Sequence, residues 1–212
     1  MLHTIGIRIA PGCGARVERY VEILRRHLAE RGATMLLDEG PAELTLALEV
    51  VPGAGEEGYR ISDGPPGEVH ICGHDERGLL YGLGRFLRTS FGPQGFSAGG
   101  WRGSSAPQGR LRGMYLASHF HNWYHVAPEE ELARYLEDLA LWGLNAISVA
   151  FPLVDLQGWD DPATPLAVAQ VHKLLSIARK LGLRTGLMAV PNQGFQDTPA
   201  ARGFNHLPYR ML

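Results

Sequence analysis

The chain has 212 residues, 45% of them apolar and 20% charged, with a formal net charge of −2, the balance of an ordinary soluble globular protein. A near-neutral charge with no basic run beyond Arg25-Arg26 excludes an electrostatic footprint for nucleic acid, and the absence of about 18 consecutive apolar residues argues against a membrane span. Cys13 in a Gly-rich turn and Cys72 in a predicted strand are too few and too scattered for a disulfide framework or a zinc site.

The N-terminus lacks a basic region followed by a long apolar core, so the cytoplasm is the expected location. Thr4 to Ala10 alternates Ile5, Ile7 and Ile9 with polar or small residues and predicts a half-buried strand. After the turn Pro11-Gly-Cys-Gly14, residues Val17, Tyr20, Val21, Leu24 and Leu28 form one helical stripe that stops at Arg31-Gly32. Leu44 to Val51 alternates again, and Gly58 to Ser62 and Val69 to Gly73 predict two further strands split by Asp63-Gly-Pro-Pro-Gly67, an antiparallel set. Glu76 to Thr89 predicts a helix with Leu79, Leu80, Leu83, Phe86 and Leu87 inward. There Gly78 and Gly82 allow a close approach to the sheet. Two helices on a mixed or antiparallel sheet make an α+β domain over residues 1–92.

Residues 91–110 are rich in glycine and show no periodicity, so the domain boundary falls there, with a linker over 93–110. Leu111 to Ala117 predicts a strand, and Pro128-Glu-Glu-Glu131 opens a helix with Leu132, Tyr135, Leu136, Leu139 and Ala140 buried. Ala146 to Ala150 is a second strand. Thr164-Pro165 is expected to cap the next helix, lined by Val168, Val171, Leu175 and Ala178, before a third strand at Thr185 to Val190. The segment Leu141-Trp-Gly-Leu-Asn-Ala-Ile-Ser-Val-Ala-Phe-Pro152 recurs 39 residues later as Lys180-Leu-Gly-Leu-Arg-Thr-Gly-Leu-Met-Ala-Val-Pro191. Each copy runs from a helix end through Gly143 or Gly182 into an apolar strand, the βα repeat of a parallel barrel. Residues 111–212 therefore read as an incomplete α/β TIM-barrel segment of about three βα units, stopping after barrel strand three.

Two stretches carry a resemblance. Gly58-Tyr-Arg-Ile61, followed by Val69-His-Ile-Cys-Gly73-His-Asp75-Glu-Arg-Gly78-Leu-Leu-Tyr81-Gly82, resembles the end of the small α+β domain before the catalytic barrel of family 20 hexosaminidases and family 67 α-glucuronidases. Arg112-Gly113 resembles the Arg-Gly that opens the barrel in those families. Where family 20 continues with an Asp and a sugar-binding Arg, this chain has Ala117 and Phe120, and Ser118-His-Phe-His-Asn-Trp-Tyr-His125 instead resembles α-glucuronidase-like glycosidases. The resemblance implies glycoside hydrolysis by a carboxylate pair, with a non-catalytic small domain. In those families the pair follows the fourth and later strands, beyond Leu212.

The acids after predicted strand two, Asp155, Asp160 and Asp161, are read as loop or helix-approach acids, because nothing pairs them with a second positioned carboxyl. No catalytic residue is therefore assigned. Loops at the carboxyl ends of barrel strands bind ligand, so His119, His121, Asn122 and Tyr124 are candidate substrate-binding residues, with Trp159 and Asn192 as further candidates. An alternative use of His119 and His121 is a zinc shared by two alternate strand residues, with His125 as the nearby third ligand. A third reading is a carbohydrate-binding or interaction module made of the same parts. No cofactor is expected, the expected partner is a carbohydrate, and the apolar edges of the partial barrel are expected to drive self-association.

Overall fold

The computed structural model describes residues 2–37, 41–93, 95–118 and 122–188. They fall into two compact units, Met1–Arg110 with Glu137–Gly143, and Leu111–Leu136 with Leu144–Leu212.

The first unit is built on a six-stranded sheet. Its strands are β1 (Thr4–Ile9), β2 (Thr34–Leu37), β3 (Leu44–Val50), β4 (Tyr59–Asp63), β5 (Glu68–Gly73) and β8 (Gly103–Ser105), in the order β2-β1-β3-β5-β4-β8. Helices α1 (Ala15–Ala29) and α2 (Glu76–Ser90) pack on it and on each other. The alternation expected of the strands is present: Ile5, Ile7, Leu44, Leu46, Leu48, Ile61, Val69 and Ile71 are buried. Val17, Tyr20, Val21, Leu24 and Leu28 of α1 meet them, as do Leu79, Leu80, Leu83, Phe86 and Leu87 of α2. Each fully buried Leu or Ile contributes about 1.5–3 kcal/mol, so this double layer is the main source of the unit's stability.

The expected antiparallel set is corrected to a mixed sheet. β4 and β5 form an antiparallel hairpin, but β3 runs parallel to β5, with Leu46 opposite Val69 and Leu48 opposite Ile71. The reason is the eight-residue connection 51–58 after β3, which carries the chain beyond the neighbouring position to β4, so that β5 returns between β3 and β4. The glycine-rich stretch after α2 is not featureless: β6 (Phe91–Gly92) and β7 (Gly95–Phe96) form a short hairpin, and β8 extends the sheet by pairing antiparallel with β4.

Helix α2 shows how the sequence sets a close approach. The Asp75 carboxylate accepts the Gly78 N–H at 2.8 Å as an N-cap and the Glu57 N–H at 2.7 Å, so one side chain starts the helix and ties down the preceding loop. A Cβ at Gly78 would lie 2.0 Å from the Gly58 carbonyl oxygen, and one at Gly82 would lie 2.8 Å from the Ile71 methyl. Only glycine permits this packing distance. The segment Glu137–Gly143 belongs to the same unit. Its Glu137, 1% exposed, accepts from Arg19 of α1 at 3.0 Å and also from Arg26.

The second unit holds a parallel sheet in the order β11-β10-β9, made of β9 (Gly113–Leu116), β10 (Ala146–Ala150) and β11 (Arg184–Met188). Helices α3 (Trp123–Val126), α4 (Glu129–Leu141) and α5 (Thr164–Lys180) connect the strands. Gly143 and Gly182 both take positive φ, +103° and +77°, past the ends of α4 and α5, the left-handed position that the repeat demanded. β9 is shorter than expected, omitting Leu111, Arg112 and Ala117, and β11 (Arg184–Met188) begins one residue before the predicted Thr185. Residues 189 and 190 of the predicted third strand lie outside the described residues.

Two expectations for α5 are corrected. Thr164 does not cap the helix: it is the first helical residue, and its hydroxyl donates to the Gly158 carbonyl at 3.1 Å. The buried stripe is Ala167, Val171, Leu174, Ile177 and Ala178, while Val168 is 48% exposed. The apolar residues of this helix surround most of its circumference, so the sequence allowed two stripes one residue out of phase, and the sheet selects the one bearing Leu174.

Candidate functional site

The loops after β9 and β10 carry the candidate residues, and each is shaped by its own backbone hydrogen bonds. At the end of β9 the chain bends at Ser118, whose hydroxyl is buried and donates to the Ala150 carbonyl at the end of β10. That bond joins the two loops at their bases. Asn122 uses both ends of its amide locally: Nδ2 donates to the Ala117 carbonyl at 2.5 Å and Oδ1 accepts the Tyr124 N–H at 3.2 Å, capping α3. Nδ1 of His125 meets the Ser118 carbonyl. An Asn and a His that sequence alone offers to a ligand thus fold the loop back on its own strand. Gln170 of α5 donates to the Tyr124 carbonyl at 2.7 Å, a brace to which no motif points.

Tyr124 stands in an aromatic cluster. Its ring centroid is 5.5 Å from Trp123 and 5.9 Å from Tyr135 of α4, and Trp123 lies 5.3 Å from Tyr135 at 76°. The Tyr124 and Tyr135 hydroxyls are 3.3 Å apart, and the Tyr135 hydroxyl also reaches Met114 Sδ of β9 at 3.3 Å. Burial, followed by the Tyr124 hydroxyl, pushes the Tyr135 phenol up to about 12. The indole N–H of Trp123 donates to Glu131 at 3.3 Å. The predicted inward role of Tyr135 is therefore joined to the candidate residue Tyr124 by one hydroxyl pair.

The loop after β10 displays Trp159. A short 3-10 turn, Leu153–Asp155, leads into it. Both carboxylate oxygens of Asp161 accept backbone N–H groups, from Gln157 and Ala163, each at 2.8 Å, and these two bonds hold its carboxyl below the usual carboxylate range. This is the helix-approach role expected of the loop acids, and it braces the loop from inside. Trp159 remains 65% exposed, with its ring 5.8 Å from Phe151 at 33°. Asp160 is exposed beside it.

A cleft of about 460 Å³ opens alongside these loops. Pro152, Leu156 and Ala167 form apolar walls, and His125, Asp155, Gln170 and Lys173 supply polar atoms. Its residues come from the end of α3, the loop after β10 and the start of α5, so no single local pattern announces it. His119, His121 and Asn192 lie outside the described residues, and the metal alternative that rests on His119 and His121 lies outside them too. Among the described residues no group of three or more His, Cys, Asp or Glu side chains is placed to hold a metal ion. Likewise no described helix is long and apolar enough to cross a membrane.

No protein-family model and no curated protein matches the chain. Solved structures match it at the level of fold. A GH138 enzyme described as targeting pectin rhamnogalacturonan II superposes with a TM-score of 0.65 at 15% identity, covering 95% of this chain and 33% of that one. The GH20 β-N-acetylhexosaminidase from Streptomyces coelicolor A3(2) gives 0.62 at 19% identity, covering 91% and 43%. The GH20 exo-β-N-acetylglucosaminidase from Vibrio harveyi, in complex with N-acetylglucosamine, gives 0.68 at 14% identity, covering 96% and 35%. The chain thus spans less than half the length of each of these proteins. What it shares with them is architecture: the fold described above is one that these glycoside hydrolases also contain.

Proposed function

We propose that this chain is the sugar-binding portion of a glycoside hydrolase: a small α+β unit followed by the opening strands of a (β/α)8 barrel, with carbohydrate held on the loops at the carboxyl ends of β9, β10 and β11. The observation that carries the reading is Trp159, an indole left 65% exposed on a loop that Asp161 and Thr164 hold rigid from below. A large aromatic face turned to water gains by covering itself, and the C–H face of a pyranose is a matching cover. The glycoside hydrolase fold supports the same reading, as does the place of the loops at the carboxyl ends of parallel strands. His119, His121 and Asn192 belong to this proposal as polar partners of sugar hydroxyls or of a uronate carboxylate. Asn122 and Tyr124 support the loop from within.

Catalysis is not assigned to the acids of the β10 loop. Asp161 spends both oxygens on backbone N–H groups, and a glycosidase needs two carboxyl groups facing one bond. The chain alone is therefore expected to bind sugar without turning it over. Isothermal titration calorimetry of the chain with the N-acetylglucosamine disaccharide and with rhamnogalacturonan oligosaccharides tests the proposal. Binding of at least one class is expected, weakened about 3- to 10-fold by Trp159→Ala, the worth of one stacked ring. Absence of binding to both classes, or binding that Trp159→Ala leaves unchanged, refutes it.

A further inference from the structure

We propose that His27 is an acid-sensitive latch that holds the Glu137–Gly143 segment against α1 and α2 of the first unit. This goes beyond the sugar-binding reading and does not depend on it. The segment is held from two helices. Glu137, 1% exposed, is bonded to Arg19 and Arg26 of α1. Arg88 of α2 donates to the Leu141 carbonyl at 2.7 Å and stacks 4.5 Å from the Trp142 ring centroid. Gly84 of α2 meets the Leu141 carbonyl so closely that a Cβ there would lie 2.0 Å from it.

His27 sits between these two anchors, its side chain 12% exposed. Arg31 Nη1 lies 3.0 Å from His27 Nδ1. A guanidinium can only donate, so Nδ1 is the acceptor, the ring is neutral, and the proton is on Nε2. Nε2 in turn faces Asp138 Oδ1 at 3.5 Å, a carboxylate that is itself 59% exposed. Protonation at Nδ1 removes the acceptor that Arg31 uses and turns two donors toward each other. It also adds a positive charge among Arg26 on α1, Arg31 in the turn after it and Arg88 across the cavity on α2. Among the described residues, Asp138 on α4 and Glu30 at the C-cap of α1 oppose it. Burial is the largest cause holding this imidazole below its ordinary value near 6.5, which agrees with the geometry. The ring borders a cavity of about 60 Å³ lined also by Leu87, Arg88, Asp138 and Trp142, so it has room to turn away once charged.

The sign follows by linkage. A base whose folded value is lowered takes its proton more readily in the opened state, so the latch is fully closed above the ordinary histidine value and loses hold as pH falls through that value toward the folded one. The consequence is a segment that loosens in mild acid while the sheet beside it stays intact.

Hydrogen exchange of the full chain, followed by NMR at about pH 7 and about pH 5, reads this directly at the Trp142 and Gly143 amides, bonded to the Asp138 and Ala140 carbonyls at 3.0 and 2.9 Å. A severalfold loss of protection at the lower pH is expected there, with β3 and β5 unchanged. His27→Gln keeps an acceptor for Arg31 but takes no proton, and is expected to abolish the loss. Equal protection at both pH values in the wild type, or the same loss in His27→Gln, overturns the proposal. The His27 ring titration in the wild-type chain, which needs no variant, overturns it as well if its midpoint falls at or above that of a solvent-exposed histidine.

Discussion

At Gly78 a single missing methyl group sets how close α2 comes to the loop before β4, because a Cβ there would meet the Gly58 carbonyl oxygen at 2.0 Å. Alanine is favoured over glycine within a helix by about 1 kcal/mol, but relieving a backbone overlap of this size costs about 1–3 kcal/mol or more. Gly78→Ala is therefore expected to lower unfolding free energy by about 1–2 kcal/mol in urea titration. A stabilised variant would show that the close contact is absent. Glycines of this kind were legible in the sequence, as were Gly143 and Gly182, because Gly at fixed offsets in a helical pattern marks either a closely packed face or a helix end. The partners of Asn122 and His125 were not. Both residues bond to carbonyls of the same short loop, and a side chain returning to its own backbone leaves the same residue types in the sequence as one offered to a ligand. Asp161 was nearer to legible, since an Asp two residues before Ala163 and close to a helix start is an Asx-turn signal.

Among the elements, those with a clean period were readable and those set by pairing were not. α1 and α2 show the expected stripes. The four residues of β2 and the three of β8 are too short to carry a period, and they exist because a neighbouring strand offers an open edge. The direction of β3 relative to β5 was equally hidden, because alternation reports which face is buried and not which neighbour is paired. The parallel sheet raises the question of its outer edges. Among the described residues β9 and β11 each pair with β10 alone, and Leu187 on β11 is 59% exposed. Edges of this kind recruit further strands, so self-association of the full chain remains our proposal. Multi-angle light scattering at tens of micromolar is expected to report species larger than the monomer. A monodisperse monomer would remove the proposal and leave the sugar-binding reading standing.

For the whole molecule, the two units share a fold with GH138 and GH20 enzymes at identities of 14–19%. That is a level at which architecture persists while residues at any site are free to change. The family resemblance of Gly58 to Gly82 in the sequence thus led to the right kind of fold, through positions that serve packing: the Asp75 cap and the Gly78 and Gly82 contacts. It says less about the sugar, because the residues that would read a sugar lie on loops that differ between such enzymes. The central proposal is one of place, that carbohydrate binds on the loops after β9, β10 and β11. Titrating the ¹⁵N-labelled chain with the N-acetylglucosamine disaccharide and with rhamnogalacturonan oligosaccharides, and following every amide and indole N–H by NMR, tests that claim most directly. The expected result is a set of saturable shifts in the loops after β9, β10 and β11, with Trp123–Val126 and Phe151–Asp161 among them and the Trp159 indole among the largest. Shifts centred instead on the first unit's sheet, around Arg8, Glu49 and His70, or no saturable shifts with either saccharide, would contradict it.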